Sequence, residues 1–416
     1  MKLELGFGQG TQPLEVPDQN VMGVLEPNPV PTGLTGTVEV ARALAEPIGA
    51  PLLRQVVRPG ETVAIVTSDI TRPCPTAKIL PPVLAELEAG GIRREDITLV
   101  FALGSHRPHT EEEMRRLAGP DYDTLRCLDS VGDFVHMGDT RRGTPVDIFR
   151  PVAEADRRIC LGNIEYHYFA GYSGGAKAIM PGVSTRAAIQ ANHTMMVLPE
   201  ACAGRLEGNP LREDIEEAAA ICGVDYLVNV VLDAHKEIVK AVAGDVTAAH
   251  RVGCRFLDGL YQVSIPHRAD IVVVSQGGAP KDLNLYQTQK ALDNAKHAVR
   301  PGGIVILVGS CKEGLGEATF GRWIQEAQKP SDLTDRVQKH FELGGHKAAA
   351  IAMVLASAEV YLVSEMDPAL TRKCFLEPFE TVQAAFDHAF ARLGPEAQVL
   401  VMPYGGSTLP RVAEDA

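Results

Sequence analysis

Val63-Ala-Ile-Val-Thr-Ser-Asp-Ile-Thr-Arg-Pro73 is the stretch on which the fold turns. Its first five residues are apolar or β-branched without alternation. That pattern predicts a strand buried on both faces. Ser68 to Pro73 is polar and ends in a proline that cannot continue a ladder. Residues 76–89 then carry apolar side chains at helical spacing, with Pro81-Pro82 expected to kink the helix or delay its start. Ile97-Thr-Leu-Val-Phe-Ala-Leu103 reads as the next strand and residues 110–117 as the next helix, with Glu111 to Glu113 favouring its positive end. Arg158-Ile-Cys-Leu161 is a third strand. Short strands alternating with helices predict a parallel sheet covered on both sides.

Further along, two β-rich runs flank Asp233-Ala-His-Lys236 and predict a hairpin. A helix over residues 246–260 follows, then Ser264-Ile-Pro-His-Arg268, which reads as a linker. The alternation restarts beyond it. Strands are predicted over 270–275, 303–308, 360–363 and 398–402, with helices over 288–299, 321–328, 333–341 and 382–393. A chain of 416 residues is too long for one ordinary core. The expected fold is two α/β domains with mostly parallel sheets, an N-terminal one over 1–266 and a C-terminal one over 267–416. In such folds ligands bind beyond the carboxyl ends of strands, and an active site in the interdomain cleft is expected.

Asp and Glu number 53 against 40 Lys and Arg, a net charge of −13. Such a chain has no electrostatic reason to bind nucleic acid or an anionic membrane. An anionic substrate must find individual cations. Met1-Lys-Leu-Glu-Leu5 lacks the basic stretch and apolar run of a signal peptide, and no segment approaches the roughly 18 apolar residues of a membrane helix. The eight cysteines form no C-x-x-C pair, so a zinc or iron–sulfur site built from cysteine is not expected. Together these features predict a cytoplasmic protein.

Polar clusters sit at the predicted strand exits. The most informative is Gly162-Asn-Ile-Glu-Tyr-His-Tyr-Phe-Ala-Gly-Tyr-Ser-Gly-Gly-Ala-Lys-Ala-Ile-Met-Pro-Gly182. Its glycines, Gly174 and Gly175 among them, allow close backbone approach to a ligand, and its amides suit a phosphate. The match to a P-loop fails. Ala178 follows Lys177 where Ser or Thr should hold magnesium, and Ala176 replaces the glycine before the lysine. A magnesium-dependent phosphotransferase is therefore the less favoured reading.

Three histidines compete for chemical roles beside His167. His193 is either a core residue or a ligand suited to nickel, copper or zinc. Gly104-Ser-His-Arg-Pro-His109 offers both His106 and His109, one of which serves equally well as a helix cap. Two histidines on meeting loops can donate and accept protons near neutral pH. Asp69 and Arg72, three apart, form either a local ion pair or a carboxylate-binding fork. Gln287 and Lys290 share a helix face, which is either solvated surface or a binding face.

These segments together resemble the nickel-dependent lactate racemase family. The resemblance is carried by Ser68-Asp-Ile-Thr-Arg-Pro73, Gly104-Ser-His-Arg-Pro108, Tyr166-His-Tyr-Phe-Ala-Gly-Tyr-Ser-Gly-Gly-Ala-Lys177, Asn192-His193 and Pro280-Lys-Asp-Leu-Asn-Leu-Tyr-Gln-Thr-Gln-Lys290, all in the family's order. It implies a nickel pincer nucleotide: pyridinium-3-thioamide-5-thiocarboxylic acid mononucleotide joined covalently to Lys177, with His193 as a nickel ligand. Gly174, Gly175 and Asp69 would lie near that cofactor, the role of Asp69 being open. His106 and His167 would be the acid/base pair. Arg72, Tyr286, Gln287 and Lys290 would line the substrate site.

The implied reaction is racemisation of a small 2-hydroxyacid such as lactate, by hydride transfer from C2 to the cofactor and back. A C2 epimerase, or a racemase of malate or a sugar acid, would use the same core. The cofactor implies partner proteins that synthesise it. A dicarboxylate substrate would need one more cation, for which Arg107 and Lys281 are candidates.

Overall fold

The structure is a computed structural model and describes residues 1–31 and 33–413. Residue 32 and residues 414–416, the end of the expected second domain, lie outside the described residues. The chain divides into two compact units. One is Val30–Gly259 and the other joins Met1–Pro29 to Leu260–Ala416.

The Val30–Gly259 unit is built on a six-stranded sheet. Across the sheet the strands run Ile238–Gly244, Tyr226–Leu232, Arg157–Asn163, Val63–Ser68, Ile97–Ala102, Arg126–Asp129. All neighbours are parallel except the expected hairpin of Tyr226–Leu232 with Ile238–Gly244. Ile65, Leu99, Ile159 and Val228 are fully buried, as uninterrupted apolar strands require. The helix Thr76–Ala89 accommodates both prolines and starts where its apolar spacing begins. Thr110 caps Glu111–Ala118, its hydroxyl accepting from the Glu113 N–H at 3.2 Å.

Strand order decides where this unit can bind a ligand. After Val63–Ser68 the chain moves to one side, to Ile97–Ala102 and Arg126–Asp129. After Arg157–Asn163 it moves to the other, to Tyr226–Leu232. Those two central strands are neighbours whose connections diverge, which leaves a crevice at their carboxyl ends.

The other unit has a six-stranded sheet in the order Glu377–Phe379, Glu359–Val363, Val299–Val308, Ala269–Ser275, Val399–Met402, Val21–Val24, parallel throughout. Its edge strand comes from the N-terminus. Leu5 and Leu14, from an antiparallel hairpin, are fully buried in the same core as Ile271 and Val401. The sequence reading grouped residues 1–266 together, and the contacts divide the chain differently. A short edge strand is held by a partner remote in sequence, so nothing local marks it. The expected linker also differs: Gln262–Ile265 is a strand paired in parallel with Leu409–Val412. The helix Gly345–Leu355 was not anticipated, because its alanine-rich run has weak amphipathic contrast.

Candidate active site

The loop after Val63–Ser68 and the loop after Ile97–Ala102 meet through two histidine–carboxylate pairs. His106 donates from Nδ1 to Asp69 Oδ2 at 2.8 Å. Asp69 is 3 % exposed, and Thr71 Oγ1 donates to its other oxygen at 2.9 Å. Burial pushes the Asp69 carboxyl up. The hydrogen bond and charge of His106, with Thr71 and Arg72, outweigh that and hold it below the usual carboxylate range. With its Nδ1 proton given to Asp69, a neutral His106 presents a lone pair at Nε2. Its side chain is 26 % exposed, so that nitrogen has room for a partner.

His109 has a different task. Its Nδ1 donates to Asp129 Oδ1 at 2.6 Å, and its Nε2 accepts from the Ile70 N–H at 3.0 Å. Both ring nitrogens are used and the side chain is 1 % exposed. It holds the Asp69 loop to the Asp129 strand end and is a structural residue. Arg72 is exposed, and among the described residues its guanidinium makes no ion pair. The local Asp69–Arg72 pair that spacing allowed is replaced by Asp69–His106. Arg107 is committed to Glu113, at 2.7 and 2.8 Å.

The third exit, after Arg157–Asn163, forms a small hairpin of Tyr166–His167 against Gly171–Tyr172. Tyr166 and Tyr172 both donate their hydroxyls to Asp258, at 2.8 Å each, which ties the hairpin to the helix Ala248–Tyr261. His167 accepts at Nδ1 from the Ala170 N–H at 3.3 Å, so a neutral His167 carries its proton on Nε2. This is the opposite tautomer to that of His106. The Gly104 N–H donates to Gly182 O at 2.9 Å, linking the His106 loop to the end of this segment.

Phe169 is the hub that sequence reading did not single out. Its ring centroid lies 4.4 Å from that of His167, 5.0 Å from that of His193 and 5.6 Å from the Lys177 amine. Three candidates separated by up to 26 residues therefore surround one ring. Phe169 was visible only as one of several aromatics near the lysine.

Lys177 lies in a short 3-10 turn, Gly175–Ala178. Its amine is enclosed. Burial, then the nearby charges of Arg72 and Arg212, push it well below the usual lysine range. The Gly175 N–H donates to Asn229 Oδ1 at 2.7 Å. A Cβ on Gly174 would stand 2.4 Å from Asn229 Oδ1, and one on Gly175 would stand 2.6 Å from Arg212 Nη2. These two glycines are required by close approach to the protein's own side chains, with the backbone held at positive φ. The expected ligand-cradling amide at 175 is already used.

His193 ends the helix Arg186–His193. Its Nδ1 donates to Asn192 Oδ1 at 3.0 Å. Asn192 is fully buried, and its amide donates to Leu211 O at 3.1 Å and Asp214 Oδ2 at 2.8 Å, which fixes its oxygen toward the imidazole. With Nδ1 so engaged, a metal ligand at His193 would have to be Nε2, an arrangement of the kind that orients histidine ligands in metal sites. Among the described residues no group of three or more His, Cys, Asp or Glu is placed to hold a metal. The residues present thus fit a covalently attached metal-bearing group: an enclosed amine less basic than usual, an oriented imidazole and an aromatic ring near both.

Tyr286, Gln287 and Lys290 belong to the other unit. They lie in the first turns of the helix Leu285–Ala295, capped by Asn284, whose side chain accepts from the Gln287 N–H at 3.1 Å. Lys290 is exposed and the other two are half-buried. Lys347 donates to the Tyr286 carbonyl at 2.7 Å and stands 3.8 Å from its ring centroid. Among the described residues no helix is long and apolar enough to cross a membrane.

Comparison with known proteins agrees with this picture. Residues 7–204 match the lactate racemase N-terminal domain and residues 265–409 the lactate racemase C-terminal domain. The chain is 30 % identical to a lactate racemase of Thermoanaerobacterium thermosaccharolyticum, over 98 % of this chain and 99 % of that one. It is 31 % identical to a lactate racemase of Lactiplantibacillus plantarum, over 97 % and 98 %. The solved apoprotein structure of the Thermoanaerobacterium enzyme superposes with a TM-score of 0.89 at 29 % identity, covering 99 % of this chain and all of that one. A Thermotoga maritima protein shares the fold, with a TM-score of 0.63 at 17 % identity over 91 % of this chain. With both domain models matched in order and two relatives aligned nearly end to end, the chain belongs to the lactate racemase family, and it is an isomerase.

Proposed function

We propose that this chain racemises a small 2-hydroxyacid of the lactate type, with His106 and His167 as its acid/base pair. The observation that carries the proposal is the opposite wiring of the two imidazoles. Asp69 takes the Nδ1 proton of His106, and the Ala170 N–H takes the Nδ1 lone pair of His167. His106 can therefore accept the substrate hydroxyl proton at Nε2 while His167 offers one at Nε2. Proton return in the reverse direction exchanges the two states. Racemisation needs a base for each enantiomer, and positioned acid/base groups contribute roughly 10²–10⁴-fold in rate.

Lys177 and His193 would hold the nickel pincer nucleotide, the first as its covalent attachment and the second as a nickel ligand. That group would supply a reversible hydride acceptor for C2 of the substrate. Arg72, exposed and without an ion pair, is suited to the substrate carboxylate. Tyr286, Gln287 and Lys290 are proposed as the substrate-side residues of the other unit. Phe169 excludes water between the two attachment residues. Gly174 and Gly175 act indirectly, by letting the Lys177 turn pack on Asn229 and Arg212. Arg107 is committed to Glu113, which leaves Lys281 as the remaining candidate cation for a second carboxylate.

The phosphotransferase reading has little support, since the Gly175 amide is bonded to Asn229 and Lys177 is not held as a cation. The proposal includes a cytoplasmic location and partner proteins that make the cofactor. Buried cysteines such as Cys74 and Cys160, whose thiols burial holds protonated, suit a reducing compartment.

The test is a chiral screen of 2-hydroxyacids, using enzyme produced together with the cofactor-synthesis proteins. Single enantiomers of lactate should become racemic. Deuterium at C2 should be retained in the product, because it leaves and returns as hydride. Wash-out of that deuterium into solvent, or no racemisation of any acid in the panel, would overturn the proposal.

A further inference from the structure

The strongest unexplained feature of the molecule is a buried cation beside a buried amine. Arg212, on the helix Pro210–Cys222, is 1 % exposed. Its guanidinium is fixed on every side. Nε donates to Glu216 at 2.7 Å, Nη1 to the Tyr172 carbonyl at 3.3 Å and Nη2 to His250 Nδ1 at 3.0 Å. His250 is itself buried and donates from Nε2 to the Ser173 carbonyl at 2.8 Å. Arginine and histidine together thus clasp the backbone of the turn that leads into Lys177. Only glycine at 175 lets the guanidinium approach so closely.

We infer that Arg212 is a positioning residue for cofactor attachment: clasped by His250 and Glu216 against the Gly174–Gly175 turn, it keeps Lys177 a reactive amine before any cofactor arrives. The inference rests on Lys177 being the attachment point.

The charged groups acting on the amine are Arg72, from the loop after Val63–Ser68, and Arg212, from Pro210–Cys222. Both are cations. Among the described residues no carboxylate pairs with Lys177. Glu216, the carboxylate nearest this network, is shared between Arg212 and Arg251, at 2.7 Å from each. His250, held neutral by burial and by Arg212, adds no compensating charge. An ammonium at 177 would itself be enclosed and would add to the charges of buried Arg212 and exposed Arg72, so the unprotonated form is favoured. An unprotonated amine has the lone pair that acylation requires.

Competitive acetylation of the full chain, made without the cofactor-synthesis proteins, tests this. The probe is an N-hydroxysuccinimide ester of acetate. The amine attacks the ester carbonyl, N-hydroxysuccinimide leaves and water takes the proton. Peptide mass spectrometry from pH 6 to 10 should place the Lys177 midpoint well below those of exposed Lys78 and Lys312. R212M should raise the midpoint and slow labelling at pH 7 about tenfold, with R212K restoring it. E216Q, which removes the counter-charge of Arg212, should move the midpoint the opposite way. A purely structural role would not give shifts of opposite sign. Wild-type Lys177 titrating with the exposed lysines overturns the inference whether or not R212M folds. So do R212M and E216Q profiles that coincide with wild type. The attachment reading fails separately: a reactive Lys177 whose intact mass stays unmodified beside the cofactor-synthesis proteins refutes attachment and leaves the amine's reactivity standing.

Discussion

At the exits of Val63–Ser68 and Ile97–Ala102 each imidazole is matched by a carboxylate, whereas at the exit of Arg157–Asn163 a lysine amine faces two guanidiniums. Asp69 and Asp129 each take an Nδ1 proton, and so fix which nitrogen of His106 and of His109 is left over. At Lys177 burial, and then the charges of Arg72 and Arg212, act in the other sense and lower the amine's hold on its proton. Neighbouring strand exits on one sheet thus prepare two chemistries. In the proposed reaction the first would orient His106 for proton exchange, and the second, which also carries His167, would leave Lys177 ready to form a covalent bond. Burial penalises either charge: at Lys177 it is the largest influence and the two cations add to it, whereas at Asp69 the neighbouring donors and charges outweigh it.

The comparison breaks first at the acid/base pair. His106→Asn or His167→Asn should lower turnover by about 10²–10⁴-fold in loaded enzyme while cofactor attachment, read by intact mass, persists. A loss of attachment along with turnover would mean that the two exits are not chemically separate. A smaller effect is expected one residue before the imidazole proposed to bind metal. Asn192→Ala frees the His193 ring to rotate and should weaken metal retention about 10–100-fold, measured by metal analysis after dialysis against a chelator. Unchanged retention would remove His193 from the metal site. The smallest effect on chemistry should come from His109→Leu. It strands the Asp129 carboxylate and the Ile70 N–H and should cost about 1–3 kcal/mol in denaturant unfolding. Turnover per folded molecule should stay within a few-fold. A loss as large as that of the His106 variant would show that His109 has been assigned the wrong task.

Much of the architecture was legible from order and periodicity. Val63 to Thr67, Ile97 to Ala102 and the 226–242 hairpin announce themselves because strand pattern and turn chemistry are local. The motif segments at 68–73, 104–108 and 166–177 could be placed at strand exits for the same reason. His106 and His109 could not be told apart, since both sit in one polar loop with similar composition. Their difference lies in Asp69, 37 residues away from the first, and in Asp129, 20 residues away from the second. Gly174 and Gly175 were read as making room for a ligand. The atoms that need the room are those of Asn229, Arg212 and His250, 37 to 75 residues downstream.

By itself the chain determined its alternating α/β pattern, the residue types at each strand exit and its membership of the family, because these depend on neighbours in sequence. Tertiary structure alone decided that the first 29 residues pack with the C-terminal unit, that Asp69 serves His106 and not Arg72, and that Phe169 gathers His167, Lys177 and His193. Edge pairing, charge pairing and ring contacts are satisfied by whatever the fold brings within a few ångströms. Separation along the chain does not encode that distance.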